Sequence, residues 1–157
     1  MRALNIFLSI VFVILLAFVG LFFWGGTLDV QMNVMTAPAA DHPDAFASIQ
    51  SVLSTNAAPV RWSGDIPASS DGVTLVDMTL TLTNNGFLPA EWLDVEIAPA
   101  SGDIAVYSLS GETADVPARG AGQLNLKLVT RANANAQRTM TVSYYVYGMK
   151  RTVEVMG

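Results

Sequence analysis

His42 stands between Asp41 and Asp44, in the segment Asp41-His42-Pro43-Asp44. An imidazole among carboxylates is the material of a zinc site or of acid–base chemistry. A zinc site needs three or more convergent ligands, and the chain has 1 histidine and 0 cysteines. The same counts argue against a Ser-His-Asp or Cys-His nucleophile. Asp41, Pro43 and Asp44 read instead as a helix start, with a capping side chain, a proline in the first turn and acidic groups near the positive helix end. Asp65, Asp71 and Asp103 each adjoin a glycine. Their oxygens suit calcium, but no spaced acidic loop accompanies them, and turn chemistry accounts for all three. Glu91, Asp94 and Glu96 offer the carboxylates an acid–base pair would need. Asp94 and Glu96, however, share the polar face of an alternating strand, where solvent is the natural neighbour. The expectation is a chain that is not an enzyme, with no catalytic residue, no metal site and no cofactor.

The aromatic residues are more informative. Trp92 shares strand parity with Asp94 and Glu96, and so faces away from a core. Tyr145 and Tyr147 share parity with Thr141 and Ser143, opposite Met140, Val142, Tyr144 and Val146. Exposed rings beside polar residues mark interaction surfaces. The candidate surface is Phe87, Trp92, Tyr145 and Tyr147, with Lys150 and Arg151 at its rim. The competing reading is a second packed face, or rings exposed singly, and Trp62 belongs to the same weighing.

The element that places this surface is Leu4–Trp24, LNIFLSIVFVILLAFVGLFFW, an apolar run without charge. As a helix it spans roughly 30 Å, the thickness of a bilayer's hydrocarbon core. Arg2 precedes the run and Asp29 is the first charge after it, which puts the N-terminus in the cytoplasm and residues 25–157 outside. The expected layout is a cytoplasmic tail (1–3), a transmembrane signal-anchor (4–24), a linker (25–27) and an extracytoplasmic domain (28–157). A cleaved signal peptide competes, with Ala37-Pro38-Ala39 as a distant cleavage site. A type IV pilin-like helix fits less well, for want of a processing glycine before the run.

After the anchor, Leu28, Val30, Met32 and Val34 alternate with Asp29, Gln31, Asn33 and Met35, a half-buried strand. Phe46, Ile49, Val52 and Leu53 recur at helical spacing and predict a short amphipathic helix over 43–54, lying on one end or edge of a sheet. Residues 59–63 read as an edge strand carrying Trp62. In 73–83, Val76, Met78, Leu80 and Leu82 share a face. Val73 and Leu75 are out of phase with it, and a bulge near Leu75-Val76 reconciles them. Further strands are expected at 93–97, 104–109, 123–130, 139–147 and 150–155, with turns at Asn84-Asn85-Gly86, Ser101-Gly102-Asp103, Ser110-Gly111-Glu112 and Gly148, and a polar loop at 131–137. Seven or eight short strands predict a mainly β chain, an immunoglobulin-like antiparallel β-sandwich with one short helix.

All 13 acidic residues follow the apolar run, and the formal net charge is −5. That balance excludes nucleic acid as a partner and disfavours anionic headgroups. An exported domain with neither cysteine nor an Asn-x-Ser/Thr sequon suits a prokaryotic envelope.

The stretch LTLTNNGFLPAEWLDVEIAP, residues 80–99, resembles the CARDB-type and related immunoglobulin-like modules of bacterial and archaeal envelope proteins. In those modules a strand, an Asn-x-Gly turn and a second strand ending at proline recur. Val116-Pro117-Ala118-Arg119-Gly120 is similar to a turn that often follows. The resemblance spans roughly residues 70–130; residues 36–63 depart from it. It implies a sandwich used for adhesion, scaffolding or spacing, and carries over no functional residue. The expected function is a membrane-anchored, non-enzymatic interaction or assembly module. Its partners are the lipid bilayer, through residues 4–24, and a membrane or envelope protein. The alternative is a small carbohydrate- or substrate-binding module using Trp92, Tyr145 and Tyr147.

Overall fold

A computed structural model describes residues 2–24, 28–111, 115–131 and 137–157, without the side chains of residues 2, 3 and 21–24. The expected linker 25–27, Glu112 and most of the 131–137 loop lie outside the described residues.

The period-two stretches become strands that pair in two antiparallel sheets. The five-stranded sheet runs β1(Leu28–Pro38), β3(Thr74–Asn84), β6(Ala121–Thr130), β5(Asp103–Gly111), β2(Val60–Arg61), and the three-stranded sheet runs β4(Glu91–Ile97), β7(Thr139–Val146), β8(Met149–Met156). With β2 set aside and the other strands lettered A to G in chain order, these sheets are A-B-E-D and C-F-G. That is the constant-type immunoglobulin arrangement. The expected sandwich is borne out, with eight strands among the described residues.

Val76, Met78, Leu80 and Leu82 of β3 meet Leu124, Leu126 and Leu128 of β6, and Met140, Val142, Tyr144 and Val146 of β7, in the main core. The expected bulge at Leu75-Val76 is not there. β3 keeps unbroken register with β1 and β6 from Thr74 onward. Leu75 is buried on the opposite face, in a second apolar cluster with Val73, Ile104, Ala105 and Val129 beneath the helix α2(Pro43–Ser54). Phe46, Ile49 and Leu53 are the residues α2 buries there. The helix thus makes the sheet two-sided at one end, and phase-breaking residues there are core residues of a different core. The helix start also differs in detail from expectation. His42 is the N-cap, without a side-chain cap bond, and Asp41 closes a 3-10 turn, Ala39–Asp41.

Two buried polar contacts tie the sheets together in this cysteine-free chain. Arg138, just before β7, donates from Nε to Asp103 Oδ2 at 2.9 Å and from Nη2 to Asp103 Oδ1 at 2.7 Å. Their side chains are 2% and 0% exposed. At the other end, Leu28 N–H donates to the buried Tyr144 hydroxyl at 3.3 Å.

Helix α1(Arg2–Trp24) covers the N-terminal apolar run. Its described side chains are exposed from Leu4 to Val19, around the whole circumference. Among the described residues no helix is long and apolar enough to cross a membrane. The described side chains of α1 end at Gly20, and in sequence the apolar run continues to Trp24.

Candidate functional site

Strand register defines two ends of the sandwich. At one end lie Leu28, Asn84, Ala121 and Gly111; at the other lie Pro38, Thr74, Thr130 and Asp103. The Leu28 end also holds Glu91, Tyr145, Val146 and Met149. It is the end where the chain enters the domain from α1, and it carries Phe87, Trp92, Tyr145, Tyr147 and Lys150.

Two of these positions, and Arg119 at the same end, rest on unusual backbone. Trp92, Arg119 and Tyr147 have φ of 51°, 54° and 53°. An L-residue in this left-handed region costs roughly 1–2 kcal/mol, and such strain concentrates at functional positions. Trp92 lies in the β4 irregularity between Glu91 and Asp94, and its N–H donates to Asp115 Oδ1 at 3.0 Å. The irregularity turns the indole outward: Trp92 is 74% exposed and Tyr147 is 73% exposed. The indole meets Tyr145 edge-on, with centroids 5.7 Å apart and planes at 63°. Tyr145, itself half-buried, pairs with exposed Glu91 on one side and exposed Lys150 on the other, so Lys150 stands in the same row. Tyr147 and Gly148, both at positive φ, form the two-residue turn between the paired Val146 and Met149. This is the primed hairpin geometry that usually takes Asn-Gly.

Phe87 and Arg151 are placed differently from expectation. The exposed Phe87 ring carries the Arg119 guanidinium 4.3 Å above its centroid, a cation–π contact. Arg119 N–H donates to Gly86 O at 3.1 Å, so Phe87 and Arg119 form their own pair. Arg151 is half-buried opposite core Tyr144, on the inward side of β8. Trp62 packs against the main core. The group is therefore exposed Trp92, Tyr147 and Lys150 around half-buried Tyr145, with the Phe87–Arg119 pair at the same end. Arg119 was missed in the sequence, where its only signal is the Pro-Ala-Arg-Gly turn.

The acidic candidates are accounted for locally. Asp65 pairs with Arg131 at 2.7 Å. Asp71 accepts from Ser69 Oγ at 2.9 Å. Asp94 and Glu96 are exposed on the outer face of β4. Asp103 is no loop carboxylate but half of the buried ion pair. Among the described residues no three His, Cys, Asp or Glu side chains gather as a metal-binding group.

The outer face of the five-stranded sheet is polar. Asn33, Thr79, Asn125 and Ser110 form one cross-strand row, and Lys127 pairs with Asp77 at 3.2 Å, half-exposed. Tyr107 borders this face; burial first, and then the Asp77 charge, hold its phenol above the ordinary value of 10.0. The neutral phenol is thus favoured in the fold. Its contribution is complete below the unfolded value and is lost as pH rises from there through the folded value. Alkaline unfolding of Tyr107→Phe should accordingly show a shallower loss of stability above about pH 10 than the parent; identical slopes would exclude Tyr107 as the source.

No family model and no curated protein matches this chain. Among solved structures it is similar to the putative ApaA protein of Bordetella pertussis, at 14% identity and TM-score 0.47, over 83% of this chain and 92% of that one. It is also similar to the GAE domain of GGA2p from Saccharomyces cerevisiae, at 13% identity and TM-score 0.45, over 84% and 95%. A third is a FixG-related protein of Vibrio parahaemolyticus, at 14% identity and TM-score 0.40, over 82% and 92%. These likenesses are at the level of the β-sandwich fold.

Proposed function

We propose that this chain is a membrane-anchored, non-enzymatic interaction or assembly module. Helix α1 lies in the lipid bilayer, and the sandwich meets a membrane or envelope protein at the outer face of the cell membrane. The observation that carries the reading is position. Trp92, Tyr145, Tyr147 and Lys150 gather at the end of the domain where β1 begins, and only residues 25–27 separate β1 from α1. A partner in the same membrane is the one such an end meets most easily.

In sequence the apolar run extends past the described side chains to Trp24, and Leu4–Trp24 as a helix rises roughly 30 Å, the thickness of the hydrocarbon core. A helix apolar on all sides has no face suited to water and must be covered. The resemblance of residues 80–99 to envelope spacer and adhesion modules fits the same role. The 63° angle between Trp92 and Tyr145 weighs against a flat aromatic platform for a sugar ring, and so against the carbohydrate alternative.

A photo-reactive residue replacing Tyr147 should give a discrete cross-linked species in native membranes. Trp92→Ala should cut its yield at least tenfold, the loss typical of an exposed aromatic anchor, while changing unfolding free energy by no more than about 1 kcal/mol. Irradiated monomer alone, or release of the chain from membranes by alkaline carbonate, would end this reading.

A further inference from the structure

The sandwich is open along the side where β5 and β4 lie. β2 covers two positions of β5, with Val60 opposite Val106 and Arg61 opposite Ala105. Beyond Val106, β5 has no strand on that side among the described residues. Among the described residues β4 is also an edge strand, its one strand partner being β7. Between these edges lies a cleft of about 300 Å³, lined by Val60, Trp62, Val95, Val106, Leu109 and Leu126. Leu109 distinguishes it from an ordinary groove. Its cross-strand partner is core Leu126, so it is on the inward side, yet it is 51% exposed. An inward leucine half in water, beside unpaired backbone, leaves room for one more strand and one more apolar side chain.

We propose that this cleft takes an extended basic segment of another protein. The segment adds as a strand to the open edge and lays an apolar side chain over Leu109. Main-chain bonds supply affinity in strand addition, and alternate side chains supply selectivity. β2 already shows how a chain lies there. It runs antiparallel to β5, and the N–H groups of Trp62 and Ser63 donate to Ile104 O at 3.0 and 3.1 Å.

Charge selects the occupant. Asp94 and Glu96 contribute to the cleft lining from β4 and are exposed, and the whole chain carries a formal −5. A second copy pairing edge to edge would set these carboxylates against their own kind, which is unfavourable. A strand with Lys or Arg beside its apolar residues meets them with complementary charge. The cleft is separate from the Trp92 row, and the proposal holds whether or not α1 lies in a membrane.

A displayed heptapeptide library selected on the full chain in detergent micelles tests this. Enriched peptides should alternate apolar residues with Lys or Arg. Synthesised singly, they should bind Leu109→Glu and Asp94→Lys at least tenfold more weakly than the parent, and Trp92→Ala as tightly as the parent. Backbone amides of β4 and of residues 107–111 should gain hydrogen-exchange protection on binding. Val60→Lys, at another half-exposed position, serves if Leu109→Glu loses the parent's circular dichroism. No enrichment, enrichment without alternation, or binding indifferent to these variants overturns the proposal. Self-association abolished by Leu109→Glu also overturns it, since the occupant is then a second copy.

Discussion

Arg138→Met should lower the unfolding free energy by about 3–5 kcal/mol, the usual loss when one partner of a buried ion pair is removed. The reason is the charge left behind. Asp103 is 0% exposed, and besides Arg138 its Oδ2 accepts the Ala100 N–H at 2.8 Å. One backbone donor does not replace a guanidinium bonded to both carboxylate oxygens. Asp103→Leu alone should also be destabilising, because it removes the buried carboxylate that Arg138 Nε and Nη2 both bond. The double variant should be much less unstable than the sum, since two apolar side chains of similar bulk need no charge partner. Chemical denaturation of the four proteins measures this. A single-variant loss below about 1 kcal/mol, or simple additivity, would mean that the pair is not what locks β5 to the start of β7.

The second large effect is expected at Asn84. Its Nδ2 donates to Leu88 O at 2.8 Å and Val116 O at 3.2 Å, while its Oδ1 accepts Gly86 N–H at 2.9 Å. One buried amide thus closes the turn carrying Phe87 and bonds it to the segment preceding Arg119. Asn84→Ala should cost about 2–4 kcal/mol, since it leaves several polar groups to find other partners at about 1 kcal/mol each or more. Asn85→Ala, one residue on and exposed, should stay within about 0.5 kcal/mol. Hydrogen exchange at Gly86 should accelerate in the first variant and not in the second. Equal effects at both positions would assign the turn to local propensity rather than to the Asn84 amide.

The sequence carried the strands well because their alternation is local. Leu28–Val34 and Val76–Leu82 each announce which face is buried, and Phe46, Ile49 and Leu53 announce the helix. Trp92 is exposed as parity with Asp94 and Glu96 led us to expect, but the irregularity between Glu91 and Asp94 breaks that parity and is what turns the indole outward. Val73 and Leu75 were misread because their burial depends on where α2 lands, which is a long-range fact. Arg138 and Asp103, 35 residues apart in sequence, sit beside turn residues and carry no mark of pairing across the sheets. Arg151 was legible in principle. Lys150 and Arg151 are consecutive in a strand, so they cannot rim the same face. The left-handed backbone of Trp92, Arg119 and Tyr147 has no sequence signature, because glycine or asparagine is what those positions usually take.

The contact between Leu28 and Tyr144 bears on mechanics. β1 is 11 residues long, about 36 Å of extended chain, and it is laced along its whole length to β3 from Leu28 opposite Asn84 to Pro38 opposite Thr74. A pull arriving from α1 and resisted near α2 runs parallel to that strand. The ladder is then loaded in shear, with its bonds sharing the tension, rather than peeled one at a time. Leu28, the first link to feel the pull, is also tied through the Tyr144 hydroxyl to the opposite sheet. Tension along β1 is thereby met by the whole β1–β3 ladder and by a bond to the facing sheet at its first residue.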